Sequence, residues 1–182
     1  MKENRQNVVF LKGDNIYLRP EELSDVPLLT RWINDREVTR FLTARFPINT
    51  LNEEEYVKNQ GKDKDSLVLL IVLCKGDIPI GAIDLHKIDA VNRNAELGVM
   101  IGEKQYWGNG YGPEAIKLLL CHAFNSLNLH KISLCVYNPN KRAIKAYEKC
   151  GFTLDGTLPE EIFLDGEYHD AYVMSVLRKN HQ

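Results

Sequence analysis

Apolar positions recur along this chain with two periods, and the switch between them outlines the elements. Short apolar runs at positions 8–11 and 16–18 flank Gly13-Asp14-Asn15, a turn-forming cluster. They predict a small hairpin, which Arg19-Pro20 closes. Ser24 stands where a helix cap is expected, and Pro27 is tolerated in a first helical turn. Leu28, Leu29, Trp32 and Ile33 then form the stripe of a helix through Asp35. A second helical stretch follows Thr50, which has capping-box spacing to Glu53, as Asn52 has to Glu55. The run SLVLLIVLC at 66–74 is almost continuously apolar and partly β-branched, and Lys75-Gly76-Asp77 makes a turn after it, so it reads as a buried central strand. Positions 80–88 form its hairpin partner, interrupted by Gly81 and Asp84. The polar loop 89–94 leads to a third strand with Leu97, Val99 and Ile101 apolar and Gly98 inside it.

Beyond Gly112 the period lengthens. Ile116, Leu119, Leu120, Ala123, Phe124 and Leu127 fall on one helical face, predicting a helix over about 112–127. A strand at 132–137, a helix at about 140–149 and two strands around Asp165-Gly166, a hairpin turn, complete the chain. An antiparallel meander, then crossovers, then a terminal hairpin predict a mixed α/β (α+β) fold. One domain over 1–182 is expected, with residues 1–7 a flexible polar tail.

Composition narrows the function classes. A hydrophobic fraction of 44% and a charged fraction of 26% are those of a globular protein. The net charge of −2 gives no basis for nucleic-acid or anionic-membrane binding. No apolar run reaches the roughly 18 residues needed to span a bilayer, and the N-terminus lacks a signal-peptide core. Cys74, Cys121, Cys135 and Cys150 form no CxxC pair and read as reduced, mostly core thiols of a cytoplasmic protein. The five histidines show no ligand spacing, so no metal is expected. A homo-oligomer is compatible with the sequence. Asp35, Glu37, Glu53, Glu54, Glu55, Asp63 and Asp65 form a loose acidic set. It reads either as an attractive field for a cationic amine or as a solvated helix face; the interspersed Arg31, Arg36, Arg40, Arg45 and Lys58 favour the second.

Chemistry concentrates where the third strand runs into Gly108, Gly110 and Gly112 and a helix begins at once. Glycines let backbone approach a ligand, and the first helical N–H groups lack internal partners, so this turn suits a phosphate. Pro113 occupies the third glycine position of a dinucleotide-binding turn, and the Gly-Lys-Ser/Thr of a P-loop is missing. What stands here is Gln105-x-x-Gly108-x-Gly110, which resembles the Gln/Arg-x-x-Gly-x-Gly/Ala signature of the GNAT N-acetyltransferases. Downstream, Asn140, Ala143, Tyr147, Gly151 and Phe152 match the second signature of that family, Asn-x-x-Ala-x-x-x-Tyr-x-x-x-Gly-Phe. The final hairpin is similar to that of the ribosomal-protein and polyamine acetyltransferase branch.

The resemblance implies a splayed, mostly antiparallel mixed sheet flanked by about four helices, with acetyl-CoA held between two parting strands. Backbone groups of Val99, Met100 and Ile101 would bond the pantetheine arm. The loop Gln105, Gly108, Asn109, Gly110, Tyr111 and Gly112 would hold the pyrophosphate, and Asn140 would touch pantetheine or the adenosine side. Tyr147 would be the general acid at the thioester sulfur. An unperturbed phenol, pKa about 10, protonates a thiolate of pKa about 8.5 only uphill, by about 2 kcal/mol. Glu96, at the start of the glycine-containing strand, is the candidate base for an amine whose deprotonation at pH 7 costs about 4.6 kcal/mol. An exposed or cation-holding carboxylate is the alternative there. A backbone N–H near Met100 would polarise the acetyl carbonyl. The resemblance implies direct acetyl transfer in a ternary complex to a primary amine, either a protein N-terminus, as on a ribosomal protein, or a polyamine such as spermidine. An aminoglycoside or other small-amine acceptor, and a non-catalytic acyl-CoA sensor, are the alternatives.

Overall fold

The computed structural model describes residues 8–180; the tail at 1–7 lies outside them. Its strands are β1 (Leu11–Lys12), β2 (Ile16–Pro20), β3 (Leu67–Leu73), β4 (Ile78–Asp89), β5 (Asn94–Ile101), β6 (Lys131–Tyr137), β7 (Thr153–Leu164) and β8 (Glu167–Leu177). They form one sheet in the order β1-β2-β3-β4-β5-β6-β8-β7. Every pairing is antiparallel except β5 with β6. The helices are α1 (Val26–Asn34), α2 (Arg36–Thr39), α3 (Thr50–Gln60), α4 (Tyr111–Asn125) and α5 (Lys141–Lys149).

The continuous apolar run of β3 follows from its place in the middle of the sheet, where both faces are covered. Leu69, Ile71 and Leu73 point into a large core with Ile116, Leu119, Phe124 and Tyr147 of α4 and α5. Leu70 and Val72 point into a smaller core with Val26, Leu29 and Trp32 of α1 and Val57 of α3. Two glycines permit this packing. A β-carbon at Gly81 would sit 2.1 Å from the Met100 carbonyl oxygen, and one at Gly102 would sit 2.2 Å from the Trp32 ring.

Capping differs in detail from the sequence expectation. Ser24 does not cap α1. A short 3-10 turn at Leu23–Asp25 precedes the helix, and Asp25 accepts from the Glu22 N–H at 2.8 Å. Arg19, itself buried, donates to both oxygens of Asp25, at 2.7 and 2.8 Å. That bidentate pair fixes the 3-10 turn ahead of α1, whose own first turn has no side-chain cap. Thr50 is the first residue of α3, and the Asn49 side chain caps it by accepting from the Asn52 N–H. Leu127 lies past the end of α4 and is 38% exposed. Only Cys150 is a core thiol. Cys74 ends up exposed just past β3, Cys121 on the outer side of α4, and Cys135 where β6 loses its β5 neighbour.

Candidate active site

β5 and β6 pair only from Asn94 to Glu96 against Lys131 to Ser133. From there β5 stays with β4 as far as Ile101, while β6 stays with β8 as far as Tyr137. The sheet therefore splits at Glu96, and the edge at 97–101 has no strand partner among the described residues. An unpaired edge with its N–H and C=O groups free is a template for an extended ligand. Val99, Met100 and Ile101 all lie on it, half-buried. The Ile101 carbonyl is already taken: Trp107 Nε1 donates to it at 2.7 Å.

The glycine loop sits at the open end of that edge. Gly108 and Gly110 adopt φ of +81° and +86°, a left-handed conformation costly to other residues. A β-carbon at Gly108, Gly110 or Gly112 would meet no protein atom within 4 Å, so the space before α4 is open. Gly110 is the N-cap of α4 and no side chain caps that end. Glu114, which could have turned toward it, instead accepts from the Asn15 N–H at 2.8 Å and anchors α4 to the β1–β2 turn. The uncapped helix start retains its positive character. Gln105 lies in the short 3-10 turn Lys104–Tyr106 ahead of the loop, and Asn109 and Tyr111 flank Gly110. Trp107 also carries the Arg142 guanidinium over its ring at 4.2 Å, joining the loop to α5. Neither residue belongs to the two spaced signatures. Asn140 caps α5, its Oδ1 accepting from the Ala143 N–H at 3.2 Å.

Tyr147 lies on α5, 8% exposed, with Phe152 packed at 5.8 Å between ring centroids. Burial pushes its phenol up to about 12, and the charges of Asp84 and Cys150 push the same way. It is therefore a proton carrier at every physiological pH. Cys150 is buried with its thiol pushed up by burial, the environment of a packing residue.

The opposite face of the split holds a cleft of about 810 Å³ roofed by α1, the 41–48 segment and α3. Its chemistry is acidic. Glu21, Glu53, Asp84, Glu96 and Glu161 line it, joined by His86 and Lys87. Burial raises the Glu21 carboxyl to about 7 even though Gln60 donates to it, and raises that of Glu53, which is 7% exposed. Of the acidic set read from the sequence, Glu53 alone reaches the cleft. Asp35 and Glu37 pair with Lys104, Glu54 pairs with Lys58, and Asp63 accepts from Ser66. The solvated-face reading fits the others. Glu96 is held by Lys87 at 2.9 Å and by His86 Nε2 at 3.3 Å. Lys87 reaches it from a bulge where its φ is +52°. Glu21, Asp84 and His86 escaped sequence reasoning. The one available signal was the polar alternation Asp84, His86 within an otherwise apolar strand.

Among the described residues no group of three or more His, Cys, Asp or Glu converges on a metal position, and no helix is long and apolar enough to cross a membrane.

Residues 15–153 match the model of the Acetyltransferase (GNAT) domain. A spermidine N(1)-acetyltransferase of Escherichia coli K12 is 30% identical over 164 residues, covering 90% of this chain and 87% of that protein. The corresponding enzyme of Vibrio cholerae is 30% identical over 169 residues, covering 93% and 96%. YdaF of Bacillus subtilis, whose name carries a provisional ribosomal N-acetyltransferase assignment, is 32% identical over 99 residues, 54% of each chain. Among solved structures, the Vibrio cholerae spermidine N-acetyltransferase in complex with CoA and spermine superposes with a TM-score of 0.85 at 28% identity, covering 92% of this chain and 98% of that one.

Proposed function

Because the chain belongs to the GNAT acetyltransferase family, we propose that it transfers the acetyl group of acetyl-CoA to a primary amine of a polyamine such as spermidine, in the cytoplasm. The observation that carries this reading is the acidic cleft set against the split in the sheet. A protein N-terminus brings one positive charge to the reacting end, whereas a polyamine brings several along a flexible chain. Five carboxyl groups spread along one cleft, with burial raising the pKa of Glu21 and Glu53 among them, match the second better than the first. The likeness over nearly full length to two spermidine acetyltransferases supports the same choice, and the ribosomal assignment attaches to a match over about half the chain.

In this reading the free edge at Val99, Met100 and Ile101 takes the pantetheine arm as an added strand. Gly108, Asn109, Gly110, Tyr111 and Gly112, with Gln105 ahead of them, hold the pyrophosphate against the uncapped start of α4. Asn140 lines the cofactor side. A backbone N–H near Met100 polarises the acetyl carbonyl, where negative charge develops as the amine attacks. Tyr147 donates to the leaving sulfur. A phenol at about 12 gives its proton to a free thiolate of pKa about 8.5 only at a cost of about 5 kcal/mol. Tyr147 therefore acts first as a hydrogen-bond donor, and its proton follows only as carbon–sulfur cleavage builds charge on sulfur. Glu96 takes part in deprotonating the amine on the other side of the split. Transfer is direct, with amine and thioester bound together.

Thiol release from acetyl-CoA with spermidine, spermine and an N-terminal peptide tests this. Polyamine-dependent release supports it. Release with the peptide alone, or tight CoA binding without any amine-dependent release, contradicts it.

A further inference from the structure

On the strand pair that carries Glu96, two residues of β4 form a unit that the family signatures do not contain. Asp84 and His86 point to the same face of the sheet, the face of the cleft, and His86 stands directly opposite Glu96 across the β4–β5 ladder. His86 Nδ1 lies 2.6 Å from Asp84 Oδ2. A short bond of this kind fixes the ring and places the proton of the neutral imidazole on Nδ1, so that Nε2 is the basic nitrogen, with Glu96 Oε2 3.3 Å away to accept from it once it is protonated. Nε2 faces the cleft beside Glu96, and the His86 side chain is 42% exposed. Glu96, by contrast, is committed to the Lys87 ammonium at 2.9 Å, and a carboxylate held by a cation is a poor proton acceptor.

We infer that the Asp84–His86 pair is the proton acceptor for the incoming amine, with Glu96 holding the imidazolium once it forms. This rests on the acetyl-transfer reading above. The ammonium N–H bond breaks with its electron pair left on nitrogen, and the proton bonds to His86 Nε2. The freed pair attacks the thioester carbonyl carbon, and the carbon–sulfur bond breaks with its pair on sulfur. The new amide nitrogen sheds its second surplus proton as the thiolate gains one through Tyr147. His86 returns its proton to bulk water through its exposed edge, so one proton is released per turnover. The charges facing His86 favour this role. Asp84 raises its pKa above the ordinary histidine value, with Glu96 adding to the effect and desolvation opposing it. From the neighbouring elements Glu21, Tyr56 and Asp63 also face this region, while Lys87 on the adjoining bulge opposes them. An imidazole made more basic by a neighbouring carboxylate is suited to take a proton from an ammonium.

The test compares wild type, His86→Ala, His86→Gln and Glu96→Gln in spermidine-dependent CoA release across pH. The wild-type kcat/KM should show an acid limb lying above the ordinary histidine value. His86→Ala should lower kcat at pH 7 on the order of 100-fold, and added imidazole should restore part of the rate. His86→Gln preserves polarity and length and should be equally slow. Glu96→Gln should keep the acid limb, moved to lower pH. The proposal is overturned if His86→Ala retains the wild-type rate and limb, if imidazole rescues nothing, or if Glu96→Gln alone removes the limb. A wild-type protein without amine-dependent CoA release overturns the acetyl-transfer reading itself, which separates the two failures.

Discussion

The Asp84 carboxylate lies across Gly98, directly opposite it in the β4–β5 ladder, so closely that a β-carbon on Gly98 would sit 2.3 Å from Oδ1. Gly98 has no positive φ, and its β5 backbone accepts any residue. What the missing side chain provides is room for Asp84. Gly98→Ala should therefore move the carboxylate and the imidazole it holds, lowering kcat on the order of 10- to 100-fold. Unfolding free energy should change by less than about 1 kcal/mol, because the atom that must give way ends a side chain. Gly81→Ala is the contrast. Its β-carbon meets a backbone carbonyl, which has no room to yield, and about 1–3 kcal/mol of stability should be lost. Denaturant unfolding and steady-state kinetics on the two variants separate these outcomes.

Tyr147→Phe removes one hydroxyl and preserves the packing against Phe152. Its kcat should fall on the order of 100-fold while the affinity for acetyl-CoA stays unchanged. Isothermal titration with CoA beside single-turnover kinetics checks this; equal rates in mutant and wild type would remove the tyrosine from the chemistry.

Gly110→Val places a branched side chain where φ is +86° and no protein atom stands within 4 Å of the new β-carbon. Strain should cost about 1–2 kcal/mol of stability. If the loop carries the pyrophosphate, CoA affinity should also fall about tenfold or more, roughly 1.4 kcal/mol. Strain without any loss of CoA affinity would move the diphosphate elsewhere.

Glu21 supplies a pH signature. Its carboxyl titrates at about 7 in the folded chain against an ordinary value of 4.5, so the folded state binds its proton more tightly. The stabilisation from that proton is full below 4.5 and is lost as pH rises toward 7 and above. From pH 5 to 8 the wild type should lose about 1–3 kcal/mol relative to Glu21→Gln, which carries no titrating group. Parallel stability curves for the two proteins would contradict the burial of this carboxyl.

Local signals carried much of this structure. The meander, the crossovers and the Asp165-Gly166 hairpin turn follow from apolar period and turn chemistry, and all are present. The two spaced signatures marked the glycine loop and the helix of Tyr147. What local reasoning missed depends on register between strands. Nothing in DLHKID says that His86 stands opposite Glu96, or that Asp84 folds over Gly98, because a one-residue slip would turn both to the other face. Glu21 reads as a surface residue in PEE until α3 closes over it with Gln60. α1 starts after Asp25 without a side-chain cap, and the Asp25 carboxylate is instead held by Arg19, six residues earlier on a neighbouring strand. The exposure of Cys135 is not legible in the local pattern of β6, which does not reveal that β5 leaves it after Ser133.

The most direct test is the acceptor preference of the unmodified protein, read as CoA release from acetyl-CoA with the acetylated amine identified by mass. Spermidine should be acetylated once, on a primary amine, with kcat/KM exceeding that for an N-terminal peptide by about tenfold or more. A protein that binds CoA tightly yet leaves spermidine unmodified, or that prefers the peptide, would contradict the role given to the acidic cleft.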